Sequence, residues 1–371
     1  MPPMSPFGEH EREAGARFTE RFGVELPEWY EDPGVEYQAV RMGAGLVDLS
    51  FRGMLELRGS ERLRWLNGRI TNDVKVLKTG EGLLAAVLTA KGHLVSDLAV
   101  YGMDDSVWID LNRDRVEAVK DAFERHIIAD DVQVEVVSDR FAHLMLVGPK
   151  AAHVLAGVVG AEIGALAPWR HMTGRMGDIP LRIIASRWLT RPGFDLIVPV
   201  DAAGHAWDAL LAHGRSAGVR PVGMTALEWL RVEAGWPWFG VDFDDSNLLM
   251  EALTQDHVSF TKGCYVGQEV VTRIEHQGHL NKKLCGLALD GTTIPAPGAA
   301  IRVGDRTVGR VTSAVQSPAL GRVIALAYLR RECWEAGTRV RIATADTTEE
   351  ASATTLPFTS GEATGGSGGA R

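Results

Sequence analysis

The sequence predicts an α+β chain of more than one domain that ends in an all-β unit. Three observations carry this expectation. The 371 residues exceed what one ordinary core accommodates. From about residue 46, short apolar runs with partial alternation are interspersed with apolar residues at helical spacing. After Leu284 the helical spacings stop, and only short alternating runs and turn residues follow.

The elements follow in chain order. The first 40 residues read as an acidic helical lead-in turning at Asp32-Pro33-Gly34. Nine carboxylates against three arginines give this segment a net −6 of the chain's −9. Such faces are ordinarily solvated surface. Strands are predicted at Met54–Leu57, Leu83–Leu88, Leu94–Val100 and Val107–Leu111. Between them, Leu63, Leu66 and Ile70 recur at helical spacing, as do Val116, Val119, Phe123 and Ile127, with Asn112 a candidate N-cap for the second helix. A second unit begins near Val132, with strands at Val132–Val137 and Phe141–Val147 and a helix opened by Pro149. Strands at Leu181–Ser186 and Phe194–Val198 and a helix from Asp201 through Leu211 complete it. Thr225 and Glu228 have capping-box spacing before Leu227, Leu230 and Ala234, and Gly235-Trp236-Pro237 stops that helix. A further helix starts at Gly267. In the all-β part, Ala300–Val303 and Arg306–Val311 flank the hairpin dipeptide Gly304-Asp305, followed by Leu320–Leu329 and Thr338–Ile342.

Composition excludes several function classes. Outside the acidic lead-in the charge is nearly balanced, and no Lys/Arg block offers a nucleic-acid footprint. No apolar run is long enough to cross a bilayer, and the N-terminus resembles neither a signal nor a transit peptide, so a cytoplasmic protein without membrane partners is expected. Cys264, Cys285 and Cys333 fit no disulfide framework or C-x-x-C metal pattern, so no metal site is expected.

The densest chemistry lies around Cys264. Gly263 and Gly267 bracket it, Lys262 and Arg273 supply positive charge, and a helix N-terminus follows, a setting that favours a thiolate. Tyr265 offers a stacking face, and Gln268 and Glu269 offer polar edges. The alternative is a small buried cysteine between glycines. Asp97, within a strand-like run, is by alternation either an outward solvated residue or a site carboxylate. Trp236 and Trp238 either border a flat ligand or pack the core. Arg231 and Glu233 read as structural, and Asn72 and Asp73 as turn residues.

The stretch Lys262-Gly263-Cys264-Tyr265-Val266-Gly267-Gln268-Glu269 resembles the signature of YgfZ-type folate-binding proteins, in which Lys-Gly-Cys-Tyr, any residue, then Gly-Gln-Glu recurs. Arg273 matches the arginine closing the longer motif, and Thr272 departs from the usual alanine. Other segments resemble the glycine-cleavage T-protein, an aminomethyltransferase: Gly45-Leu46-Val47-Asp48-Leu49-Ser50, Thr71-Asn72-Asp73-Val74, Ser96-Asp97-Leu98, Gly193-Phe194-Asp195 and Leu230-Arg231-Val232-Glu233-Ala234-Gly235. Phe51-Arg52 replaces that family's His-Met, and Leu227 replaces a folate-contacting arginine.

The resemblance implies an α+β, three-domain T-protein-like architecture with a ferredoxin-like middle unit and a C-terminal β-barrel. The implied division is a lead-in over 1–40, a discontinuous α+β folate-cleft domain over 41–131 and 223–279, a ferredoxin-like domain over 132–222, a barrel over 280–358 and a disordered tail over 359–371. It implies tetrahydrofolate as cofactor, with Cys264 and Asp97 as catalytic residues. Asp97, Asp195, Lys262, Tyr265, Gln268, Glu269 and Arg273 are implied to bind the folate. The implied role is support of iron–sulfur cluster assembly or repair, with assembly or client proteins as partners. The alternative is a tetrahydrofolate-dependent aminomethyltransferase or demethylase; a third possibility is a non-enzymatic folate-binding scaffold.

Overall fold

Alternation along the N-terminal strands builds two antiparallel-rich sheets that face each other. The computed structural model describes residues 2–160, 163, 166–278, 280–344 and 347–359. The first sheet has five strands in the spatial order Gly82–Leu88, Leu94–Gly102, Val107–Asn112, Arg52–Arg58, Gln133–Val136. The second has six, in the order His171–Met176, Ile179–Ser186, Gly193–Pro199, Phe141–Val147, Gly45–Asp48, Arg220–Val222, with only the last pair parallel.

Each sheet buries one face under helices. Leu55, Leu57, Leu98, Val100, Ile109 and Leu111 of the first sheet meet Trp65 and Leu66 of helix Arg62–Asn67 and Val119 and Phe123 of helix Val116–Glu124. Leu144, Leu146, Ile183 and Leu196 of the second meet helices Ala151–Val159 and Ala203–Gly214 through Val154, Leu155, Trp207 and Leu210. The alternate residues point the other way, into the seam between the sheets, where Met54, Leu84, Ala99 and Tyr101 pack against Ile184 and Ile197. Period two therefore places Arg52, Asp97, Asp110, Asn112, His143 and Asp195 on the seam side as well.

Helix Met224–Glu233 sits across this seam and joins it to the C-terminal barrel. Its Arg231 donates to Asp242 at 2.7 Å and to Ser313 Oγ of the barrel at 2.7 Å. Gly235, at φ +67°, ends the helix, and a Cβ there would lie 2.8 Å from the Leu356 side chain. The barrel closes in the order Lys282–Leu289, Arg322–Arg330, Arg306–Ser317, Ala300–Val303, Arg339–Ala343, Thr348–Thr354.

Several sequence expectations are corrected by this topology. The strand at Gln133–Val136 completes the first sheet, whereas Gly45–Asp48 and Arg220–Val222 complete the second. The middle unit is thus the one that recruits a distant strand, because the apolar Leu46 and Val47 prolong the edge beside Phe141–Val147. The acidic lead-in is only partly helical: Gly8–Glu13 is followed by a hairpin of Arg17–Arg21 with Val24–Trp29, and Asp32 then caps helix Pro33–Met42 by accepting from Gly34 N at 2.8 Å. Two of its carboxylates are buried clamps rather than surface. Glu36 accepts from the backbone N–H groups of Tyr30, Glu31 and Gly223, and Glu11 from the Tyr30 hydroxyl at 3.0 Å. Thr225 lies inside its helix rather than capping it, since Gly223 is the N-cap, and Glu228 pairs with Arg231 instead. Of the expected tail over 359–371, residues 360–371 lie outside the described residues. No helix among the described residues is long and apolar enough to cross a membrane.

Candidate functional site

The seam opens at one end into a narrow slot. Phe51, Trp188, Trp236, Trp238 and Phe239 supply aromatic walls, Leu49, Met145, Leu189 and Leu227 apolar ones, and Arg52, Asp97, Asn112 and Arg231 the polar groups. Asp97, Trp188, Leu189 and Trp236 also line a wider cleft of about 630 Å³ bounded by residues 250–257 and the barrel residues Lys283, Cys285 and Trp334. Asp97 therefore stands at the junction of slot and cleft.

Strand geometry explains how Asp97 arrives there. It pairs with Ala86 across Gly82–Leu88, and a bulge at Val87/Leu88 shifts the register just beyond this pair. Alternation expected the polar members of Leu94–Val100 to face water or a site. The second sheet covers that face, so Asp97 is buried at 6% exposure. Burial raises its pKa above the ordinary carboxylate value, against the opposing pull of Arg52.

Asp195 is fully buried beneath the slot, its Oδ2 accepting from Trp188 Nε1 at 2.5 Å, with His143 Nε2 3.9 Å away. Burial pushes Asp195 up to about 7 and His143 down to about 4. Arg52 donates through Nε to Asp110 and through Nη1 to Asn112, both at 2.9 Å, and stacks 4.8 Å from the Trp188 ring. Asn112 is thus a member of the site rather than a helix cap: it also donates to Phe239 O at 3.3 Å, and its side chain makes no capping bond.

The cluster is conspicuously under-bonded. Of thirteen buried side-chain polar atoms without a partner among the described residues, six belong here: Arg52 Nη2, Asp97 Oδ1, Tyr101 Oη, Asp110 Oδ2, His143 Nε2 and Asp195 Oδ1. An unsatisfied buried polar atom costs about 1–3 kcal/mol. Arg52 Nη2 and Asp97 Oδ1 belong to the slot's lining and are placed to be met by a polar ligand, while the other four lie in the seam behind it.

The Cys264 segment occupies a different place. Cys264 is exposed, yet it is not among the residues lining the slot or the cleft. Helix Gln268–Gln277 begins after Gly267, whose φ of +84° and 2.7 Å Cβ approach to Thr89 O admit only glycine without rearrangement. Lys262 turns inward, donating to the carbonyls of Asn67 and Ile70 at 2.7 Å and of Asn72 at 2.6 Å, with its ammonium 5.1 Å from the Tyr265 ring. Burial lowers its pKa to about 8, leaving it largely charged at neutral pH. Tyr265 is buried in a cluster with Ala86 and Phe239, so the motif braces the slot's wall from behind. Glu269 and Arg273 are exposed and Gln268 is half-buried. The structure therefore places Asp97 in the slot's lining and Asp195 behind Trp188, both in the field of Arg52 and Asp110, and sets Lys262, Cys264, Tyr265, Gln268, Glu269 and Arg273 outside the lining. Arg52, Asp110, Asn112, His143 and Trp188 were not singled out as site residues from the sequence. For Arg52, Asp110, Asn112 and His143 the signal is a polar residue within an otherwise apolar strand, as in Ile109-Asp110-Leu111-Asn112; Trp188 lies outside the strands and carries no such signal.

Comparison with known proteins agrees with this fold. Residues 7–262 match the GCVT N-terminal domain, and residues 282–359 match the glycine cleavage T-protein C-terminal barrel domain. A protein of Rubrobacter xylanophilus named aminomethyltransferase is 32% identical over 88% of this chain and 87% of its own length. Another of that name, from Halothermothrix orenii, is 30% identical over 95% of this chain and 99% of its own. The crystal structure of glycine cleavage system aminomethyltransferase T from Bartonella henselae shares the fold, with a TM-score of 0.89, 24% identity, and coverage of 97% of this chain and 99% of that one. Matched in both its N-terminal and barrel portions, the chain belongs to the glycine cleavage T-protein family.

Proposed function

We propose that the slot binds a reduced folate and that the protein moves a one-carbon unit between an amine and that folate, the class of reaction named in its relatives. The observation that carries this reading is an aromatic-walled slot lined by two residues with unpartnered buried polar atoms, Arg52 Nη2 and Asp97 Oδ1, with Asp97 where slot meets cleft. The chemistry of these residues suits the group. Because the slot's free volume is about 30 Å³ beside the cleft's 630 Å³, the ring enters where slot meets cleft and parts the aromatic walls. Trp188, Trp236, Trp238, Phe51 and Phe239 offer faces for a flat ring, and Asp195 Oδ1 and Asp97 Oδ1 offer acceptors for its N–H groups. Tetrahydrofolate supplies the ring and aryl nitrogens on which a one-carbon unit is carried.

The chain's own residues do the rest. The aromatic walls exclude water and strengthen every charge interaction inside. Asp97, raised by burial and open to the cleft, orients an amine entering from that side and holds or accepts its proton, a general acid/base role. Among the described residues lining the slot Asp97 is the one carboxylate, and both lining arginines are already paired, Arg52 with Asp110 and Arg231 with Glu228 and Asp242. That balance favours an amine over an anionic donor. Incubation with tetrahydrofolate and a panel of N-methyl and aminomethyl donors tests the reading. Formation of methyl- or methylene-tetrahydrofolate that disappears in Asp97→Asn is expected; turnover unaffected by that substitution removes Asp97 from the mechanism.

A second reading, YgfZ-type support of iron–sulfur cluster assembly or repair in the cytoplasm, is favoured by one observation. Cys264 is exposed within the intact motif, whereas Cys285 and Cys333 are buried. Complementation with Cys264→Ala tests it: full restoration of iron–sulfur enzyme activity sinks this role and leaves the one-carbon reading standing.

A further inference from the structure

The slot contains an arginine whose remaining donor has nothing to bond. Arg52 is held on three sides, by Asp110 at Nε, Asn112 at Nη1 and the Trp188 ring against its plane. Its side chain is 7% exposed and lines the slot, and Nη2 is without a partner. The guanidinium cannot rotate to satisfy that nitrogen without breaking the other contacts. The slot's other guanidinium and its amide are engaged: Arg231 by Glu228, Asp242, Ser313 and the Trp236 carbonyl, and Asn112 by Phe239 O.

Electrostatics narrows what Nη2 accepts. Asp110 lies 2.9 Å from Nε and already neutralises the arginine locally. Asp97 and Asp195 stand in the same field. A further carboxylate entering here meets more negative charge than positive. A neutral acceptor meets a polarised N–H with no opposing repulsion; ring nitrogens and ring carbonyl oxygens both qualify, and on a pterin the carbonyl oxygen, with two lone pairs, is the stronger acceptor.

We propose that Arg52 is a specificity-determining residue of the slot, its free Nη2 donating to the ring carbonyl of the bound pterin and so selecting a 4-oxo over a 4-amino ring. This rests on the folate reading above. The ring of a 4-amino analogue presents an N–H₂ donor where the carbonyl stood, so donor meets donor. Losing a hydrogen bond from a charged donor corresponds to on the order of 10- to 100-fold in affinity.

The test is titration calorimetry of the full chain with tetrahydrofolate and with the tetrahydro form of 4-amino-4-deoxyfolate. Wild type is expected to prefer the 4-oxo ligand by on the order of 10- to 100-fold. Arg52→Lys keeps a cation beside Asp110 but removes the fork, and is expected to bring the ratio close to one, with folding checked by thermal melting. A wild-type ratio near one overturns the proposal whether or not the variant folds. So does an Arg52→Lys protein that weakens both ligands equally, since that marks a purely structural arginine. If wild type binds neither ligand, the folate reading itself fails and this proposal falls with it, an outcome distinct from binding without discrimination.

Discussion

Replacing Lys262 by methionine separates a structural from a ligand-binding role for the motif's first residue. The Lys262 ammonium fastens the loop before Cys264 to three carbonyls of the 67–72 turn at 2.6–2.7 Å. Methionine keeps the stem's bulk and leaves those carbonyls without their donor. Charge-assisted bonds contribute about 1.5–3 kcal/mol each before the cost of burying the cation is subtracted, and each buried carbonyl left without a donor costs about 1–3 kcal/mol. A net loss of about 3 kcal/mol follows, which at about 2 °C per kcal/mol for a larger domain lowers Tm by about 6 °C. Thermal melting by circular dichroism measures it, with folate titration on the same samples below the transition. A variant that melts with wild type but has lost folate affinity refutes the staple and returns Lys262 to the ligand.

Further expectations follow from the same structure. Asp97→Asn should reduce turnover by about 10²–10⁴-fold without lowering Tm, because it removes a buried charge whose pKa burial has raised; a lower Tm with normal turnover contradicts its assignment. The raised pKa of Asp195, from 3.8 to about 7, means that its contribution to stability is greatest below 3.8 and declines as pH rises through 7. Asp195→Asn should flatten the fall in Tm over that window, and an unchanged pH profile argues against the burial of this carboxyl. His143, lowered to about 4, acts in the opposite direction: its contribution is present above 6.5 and is lost as pH falls through 4, so His143→Asn should soften acid unfolding. Finally, one thiol per native chain should react rapidly with a maleimide, since Cys264 is exposed while Cys285 is buried with its thiol pushed up to about 11 and Cys333 is also buried. Peptide mapping that finds Cys285 labelled first contradicts the barrel packing.

Much of the fold was legible because most strands read as short apolar runs bounded by turn residues. Phe141–Val147 and Ala300–Val303 stand as read, and Gly304 makes the predicted hairpin turn. What alternation does not encode is the identity of the covering layer. Asp97, Asp110 and Asn112 occupy the polar phase of their strands and read locally as solvent-facing, yet a second sheet lies over them. Asn112 precedes a helix and so resembles a cap, and its side chain instead reaches Arg52 on the neighbouring strand, sixty residues away in sequence and outside any local window. The Cys264 motif was the most visible feature of the sequence, and the structure makes it a brace behind Phe239 rather than a wall of the slot. Its glycines signalled close approach correctly at Gly267, but the body being approached was the turn at Thr89. The buried clamps Glu11 and Glu36 were hidden in an acidic composition, since charge counting does not distinguish a carboxylate that binds backbone N–H groups from one in water.

The most direct test of this account is a crystal structure of the protein with tetrahydrofolate. The ring should lie among Trp188, Trp236, Trp238 and Phe239, within hydrogen-bonding reach of Asp97 and Asp195. Density for the ring on the exposed face beside Cys264, with the slot empty, would contradict it.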